Sequence, residues 1–237
     1  MKLLMLSYLL IVLIPLANAF PFSTILIKNE LGEKSIVKKS SIKGGKFDLK
    51  KVLYKLRESD KKNAPKLIEN SNGTQTIIYK KNQFQKNLTK KELFDLIENP
   101  KSFGDEQYFI KDSIEILKKF GISFVLTKYS EDIAAQWNPS EKKIIINKNI
   151  IKLGTRVFAE VLNHEMIHIA QSCKAGSFES FPKLLGLKVK LNREKKYLLS
   201  KDIYKGITKL EKALEDEAYT HQTNFKMGKL LIKKFCI

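Results

Sequence analysis

Residues 161–173 read Val-Leu-Asn-His-Glu-Met-Ile-His-Ile-Ala-Gln-Ser-Cys. Within this stretch His164, Glu165 and His168 make the pattern His-Glu-x-x-His. Gly154-Thr155 opens a predicted helix that runs to about Cys173, with Phe158, Val161, Leu162 and Ile169 as its core positions. On a helix, residues i and i+4 lie one turn apart on the same face. Two imidazoles so placed can meet a single metal ion, and Glu165, one residue on, is offset around the helix as a base rather than a ligand. The chain holds only three histidines. In this composition the pattern is expected by chance roughly 0.003 times, which argues against accident.

Working outward, the segments on either side give the fold. Ile122 to Thr127 reads as a strand. Ala134 to Trp137 and Lys143 to Asn147, joined by Asn138-Pro139-Ser140, read as a β-hairpin. An extended substrate can pair with the edge of such a sheet. Trp137 reads as a packing anchor of the hairpin. Downstream, Gly176, Pro182 and Gly186 mark a loop, and a last long helix is predicted from about Lys201 to Lys226. Upstream, Phe47 to Glu58, Thr89 to Glu98 and Asp105 to Phe120 read as helices, and Thr74 to Tyr79 as a strand. The expected class is α+β. A catalytic part over 105–237 combines a small antiparallel or mixed sheet, an active-site helix and a second ligand-bearing helix. A small α+β region over 20–104, of no assignable role, precedes it.

A zinc site of this type needs a third protein ligand and one position left for water. A third histidine ten residues after the first is excluded, because position 174 is lysine. The candidate segment is Leu214-Glu215-Asp216-Glu217-Ala218-Tyr219-Thr220-His221. If Ile203, Ile207, Leu210 and Leu214 form the inward stripe of the last helix, Glu217 and His221 continue it and Glu215 turns toward the flank. Glu217 is therefore the preferred third ligand, with Glu215 and then His221 as alternatives. Gln171, one turn beyond His168, is a candidate partner of that ligand. Tyr204 and Tyr219 are candidates to stabilise an oxyanion, beside an ordinary core role.

The motif and this later acidic segment resemble the gluzincin branch of the zincin metallopeptidases, over about Ile122 to Phe225. That branch follows HExxH with Glu-x-x-x-Asp on a second helix. Glu217 to His221 puts histidine in the Asp slot of the thermolysin-like pattern. A related pattern, Glu-x-x-Ala-Asp, instead selects Glu215 and puts Tyr219 in that slot. The chain is also similar to small uncharacterised exported bacterial proteins with an HExxHxxQ helix and a later Glu-x-Glu-Ala. The expected function is thus an exported zinc-dependent metallopeptidase. In it His164, His168 and Glu217 hold zinc, and Glu165 activates a zinc-bound water against a peptide or protein substrate. The competing expectation is a non-catalytic protein of the same fold that binds a partner or a cell-envelope polymer.

Composition constrains the setting. Met1-Lys2, the apolar run Leu3 to Leu16 and the small residues Ala17 and Ala19 read as a signal peptide over 1–19, cleaved after Ala19. Export would place the protein in a periplasm, a lumen or the medium. Cys173 and Cys236 are the two cysteines. In an exported chain they can form one disulfide or stay as buried thiols. The formal charge is +19, yet Arg57, Arg156 and Arg193 are the only arginines and lysines are spread evenly along the chain. That pattern fits an AT-rich genome better than a nucleic-acid reader, which concentrates charge and uses arginine forks. Only loose attraction to anionic surfaces is expected. The sequons at Asn72 and Asn87 matter only in a eukaryotic host.

Overall fold

The motif helix is the centre of the molecule. The computed structural model describes residues 9–15, 45–81, 88–128, 133–201 and 204–237. Helix α4 spans Thr155–Lys174, and every residue from Val161 to Cys173 is buried. The sequence picks out Phe158, Val161, Leu162 and Ile169 as core positions; over 161–173 the helix is instead covered all round, the condition of a helix at the core of a domain, with Arg156 and Lys174 exposed toward its ends.

The elements around it follow in chain order. Strand β1 is Leu9–Pro15 and β2 is Gly45–Lys46; helix α1 is Leu49–Asn63; β3 and β4 are Lys66–Glu69 and Gln75–Lys81. Helices α2 (Lys90–Glu98) and α3 (Gly104–Lys119) follow, then β5 (Ser123–Thr127), β6 (Ala135–Asn138) and β7 (Lys143–Asn147). After α4 come α5 (Arg193–Leu199), α6 (Lys209–His221) and α7 (Phe225–Phe235). Helix α4 packs against α7, α3, α6, α1 and β6. The architecture is α+β with small sheets and several helices, as the residue pattern implied.

One sheet has the order β2-β5-β7-β6, with β5 parallel to β7 and the other two pairs antiparallel. The β6–β7 pair is the expected hairpin, closed by a 3-10 turn over Pro139–Glu141. Its inner side chains, Trp137, Ile144 and Ile146, are buried against α4, and Trp137 Nε1 donates to Ser172 Oγ at 3.1 Å. The other sheet has the order β1-β4-β3 and carries a separate small cluster of Ile77, Tyr79 and Leu93. The apolar run read as a leader supplies β1. The cleavage position after Ala19 lies outside the described residues, as do the β-like runs at 23–27 and 35–37.

A boundary at 104/105 does not separate two cores. Strand β2 pairs with β5, and Phe47, Val52 and Leu56 belong to the same cluster as Phe158 and Leu162. Asp60 of α1 also caps the motif helix. Its carboxylate accepts from Thr155 N at 2.7 Å and Thr155 Oγ1 at 2.5 Å, satisfying donors that a helix start leaves free. Gly154, at φ +97°, is forced there because a Cβ would collide with that carboxylate.

The predicted single helix over 201–226 is broken into two. Thr208 and Glu211 form a capping box that starts α6 only at Lys209, and Asn224 caps α7. The short α5 was not foreseen. Cys173 and Cys236 are disulfide-bonded, 63 residues apart in sequence, which ties the end of α7 to the end of α4. In the chain-entropy account a loop of that length contributes about 4 kcal/mol.

Asn163, next to the first histidine of the motif, locks the α6–α7 turn. Its amide donates to the carbonyls of His221, Gln222 and Asn224 at 3.2, 2.8 and 2.9 Å, and its oxygen accepts from Gly228 N at 3.1 Å. A Cβ on Gly228 would collide with that oxygen and crowd Met166 Cβ at 3.0 Å. Gly228→Ala is therefore expected to destabilise by about 1–3 kcal/mol, as overpacking does. Thermal unfolding would show it as a midpoint several degrees lower.

Candidate metal centre

Helix periodicity puts His164 and His168 on one face of α4, and α6 crosses that face. The two Nε2 atoms are 2.9 Å apart. Glu215 of α6 reaches both: Oε2 is 3.3 Å from His164 Nε2, and Oε1 is 3.5 Å from His168 Nε2. His164, Glu165 and His168 have no exposed surface, and Glu215 is 2% exposed. Among the described residues, His164, His168 and Glu215 are a group able to hold a metal ion.

Hydrogen bonding fixes which ring nitrogens face that point. His168 Nδ1 lies 2.8 Å from Gln171 Oε1. The Gln171 amide cannot be turned round, because its Nε2 donates to the Leu214 carbonyl and to Glu217 Oε2, both at 3.1 Å. Gln171 Oε1 is then an acceptor, so Nδ1 carries the hydrogen and Nε2 of the neutral ring presents a lone pair. His164 Nδ1 lies 3.1 Å from Gln222 Oε1, which turns the His164 Nε2 toward the same point, although Gln222 Nε2 has no partner among the described residues to fix the direction of that amide. Two imidazole lone pairs and a carboxylate thus converge in a buried space. Such a set of acceptors repels itself unless a cation lies among them.

A proton is the cation available to the chain alone. Burial by itself depresses the His168 imidazole, but the charge and hydrogen bond of Glu215, helped by Glu165 and Gln171, outweigh it and leave His168 above the ordinary histidine range. Burial likewise pushes Glu215 up, and the two imidazoles together hold it below the ordinary carboxylate range. Glu165 is near enough for its charge to act on His168 and on Tyr204.

Two tyrosines border the site. The Tyr219 ring meets the His164 ring edge-on at 4.7 Å, and its hydroxyl lies 2.7 Å from the Tyr204 hydroxyl. Burial first, then the charge of Glu215 and the Tyr219 hydrogen bond, push the Tyr204 phenol well above its ordinary range. It is a neutral hydroxyl throughout the physiological range.

Glu217, the preferred third ligand from the sequence, is placed elsewhere. Its carboxylate accepts from the backbone N–H groups of Leu185, Gly186 and Leu187 at 2.8, 2.7 and 2.9 Å, as well as from Gln171. Those bonds point it at the loop between α4 and α5, away from the imidazoles. His221 is also outside the site, its Nε2 donating to the Lys188 carbonyl at 3.1 Å. The structure brings Glu215 to His164 and His168, and Glu165 beside them. Gln171 stands where its spacing suggested. Asn163 and Gln222 had no signal in the sequence, because their roles depend on the α6–α7 turn.

A family model described as a domain of unknown function (DUF8637) matches residues 127–237. That span contains every residue of the site. No curated protein and no solved structure matches the chain.

Proposed function

We propose that the chain is an exported zinc-dependent metallopeptidase with a zincin-like catalytic part, in which His164, His168 and Glu215 hold the metal and Glu165 is the general base. The observation that carries this reading is the convergence of two inward-facing imidazole Nε2 atoms on one glutamate, with the His168 tautomer fixed by Gln171. Ligands at about 2.0–2.1 Å from a tetrahedral zinc stand roughly 3.3 Å from one another. The two Nε2 atoms are 2.9 Å apart, and each has its own Glu215 oxygen near that distance, Oε2 at 3.3 Å from His164 and Oε1 at 3.5 Å from His168. Two nitrogens and one carboxylate also form a donor set typical of catalytic zinc. Glu215, Ala218 and Tyr219 fit the Glu-x-x-Ala-Asp variant of the gluzincin pattern, with tyrosine in the last slot.

Bound zinc supplies Lewis acidity to a carbonyl and acidity to a water. The chain supplies the rest. Glu165 accepts the proton of the attacking water and returns it to the leaving amine. Gln171 and Gln222 hold the two imidazoles with Nε2 turned inward. The paired hydroxyls of Tyr204 and Tyr219 are donors placed to stabilise developing negative charge. Because the site is fully buried, a peptide reaches Glu165 only after the packing over it opens. The Cys173–Cys236 disulfide supports a setting outside the reducing cytosol, in keeping with the signal-peptide pattern.

The test is zinc content of the purified mature chain, followed by cleavage of a mixed peptide library. About one zinc per chain, with cleavage lost to a chelator and restored by zinc, is expected. A chain without stoichiometric metal, or cleavage indifferent to the chelator, contradicts the proposal. Zinc must also displace the proton favoured at His168. The metal-free chain binds more protons than the loaded one, so zinc affinity is expected to rise with pH through the raised His168 pKa and level off above it. Calorimetry in buffers of different ionisation enthalpy would report the released proton.

A further inference from the structure

Glu217 is a buried carboxylate that does not touch the proposed ligands' metal-facing atoms, yet it makes four hydrogen bonds. Three come from consecutive backbone amides of the loop between α4 and α5: Leu185, Gly186 and Leu187. The fourth comes from Gln171 Nε2, whose oxygen faces His168 Nδ1. The same stretch of loop is fastened to neighbouring residues. Lys190 N donates to Thr220 Oγ1 at 3.2 Å, His221 Nε2 donates to the Lys188 carbonyl, and Lys183 N donates to the Gln171 carbonyl at 3.0 Å. Residues 175–192 contain no helix or strand, so the loop is held by these bonds together with the packing of Leu185, Leu187 and Leu191 on the core.

We infer that Glu217 is a positioning residue that couples the order of loop 183–190 to metal binding at His168. The inference rests on the metal site proposed above. One carboxylate oxygen, Oε2, is shared between Leu185 N and the Gln171 amide. When the loop is docked, Oε2 is held where Gln171 must donate to it, and Gln171 must then present its oxygen to His168. This selects the imidazole tautomer whose Nε2 is free for a metal. When the loop lifts, Glu217 loses three donors and is free to turn from Gln171, which leaves the Leu214 carbonyl to orient the glutamine amide alone. By linkage, a metal that favours this tautomer also favours the docked loop. The loop lies beside a fully buried site, so the same coupling ties metal retention to the opening that a substrate requires.

Zinc affinity by chelator competition, backbone hydrogen exchange, and the His168 tautomer by long-range proton–nitrogen NMR test this together. In the wild type, zinc is expected to slow exchange at Leu185, Gly186 and Leu187. Glu217→Gln turns an amide donor toward the loop N–H groups. It is expected to speed exchange there, mix the His168 tautomers and weaken zinc binding about 10- to 100-fold, the usual effect of losing a partner of a ligand. Gln171→Leu leaves the three loop bonds in place and is expected to weaken zinc by a similar factor without freeing the loop. The double variant should be no weaker than the worse single one. Faster exchange in Glu217→Gln with unchanged zinc affinity and tautomer would reduce Glu217 to a loop staple and overturn the coupling. If Glu217→Gln does not fold, unchanged zinc affinity in Gln171→Leu overturns it instead. A wild type that binds no zinc overturns the metal site itself, a result distinguishable from either.

Discussion

Glu215→Ala is expected to strip the chain of stoichiometric zinc. Structural zinc sites bind with about 10–16 kcal/mol over four ligands, so one ligand is worth roughly 3–4 kcal/mol, or some 10²- to 10³-fold in affinity. Glu215 is the only carboxylate among the described residues that spans both Nε2 atoms, and no neighbour can take its place without moving α6. Glu217→Ala should keep one zinc per chain at higher dissociation constant, with two nitrogen ligands and a carboxylate still seen by X-ray absorption. Competition titrations on the two variants side by side check this. Zinc lost from Glu217→Ala and kept by Glu215→Ala would exchange the two assignments.

Glu165→Gln is expected to leave zinc in place and lower peptide hydrolysis by at least about 10²- to 10⁴-fold, the contribution of a positioned general base. The substitution keeps the shape of a fully buried side chain and removes its charge and its ability to take a proton. Initial rates at saturating peptide, with zinc content measured on the same sample, check it. Unchanged turnover would remove Glu165 from the base role. Lost zinc would show that Glu165 acts on the metal site rather than on substrate.

The firm part of the site was legible because it is local. His164, Glu165, His168 and Gln171 lie within two turns of one helix, and a 3.6-residue period alone sets their geometry. The β6–β7 hairpin was legible from its turn, and α2 and α3 from caps and periodicity. The third glutamate failed for an identifiable reason. The inward stripe was counted from Ile203 and Ile207, but α6 begins only after Thr208, so Ile207 does not share its phase, and Ile203 lies outside the described residues. Counted within α6, Leu214, Glu215, Ala218, Tyr219 and Gln222 fall within an arc of about 140°, and Glu217 lies roughly 60° outside it. Leu210, placed in the stripe by the sequence, is 42% exposed. The capping box Thr208-x-x-Glu211 was the available signal of the break.

Other features were beyond any local reading. Glu215 and Glu217 are equally buried, so an apolar context could not choose between them. What separates them is three amides some thirty residues earlier and two imidazoles about fifty residues earlier. The all-round burial of α4 likewise depends on α1, α3, α6 and α7 closing over it, which its own pattern does not encode.

The most direct test is an anomalous difference map at the zinc absorption edge from crystals of the mature chain grown with zinc. One peak is predicted, bonded to His164 Nε2, His168 Nε2 and a Glu215 oxygen, with the Glu217 carboxylate still on the amides of Leu185, Gly186 and Leu187. No peak at the two histidines, or a peak there bonded to Glu217 instead of Glu215, would contradict the account.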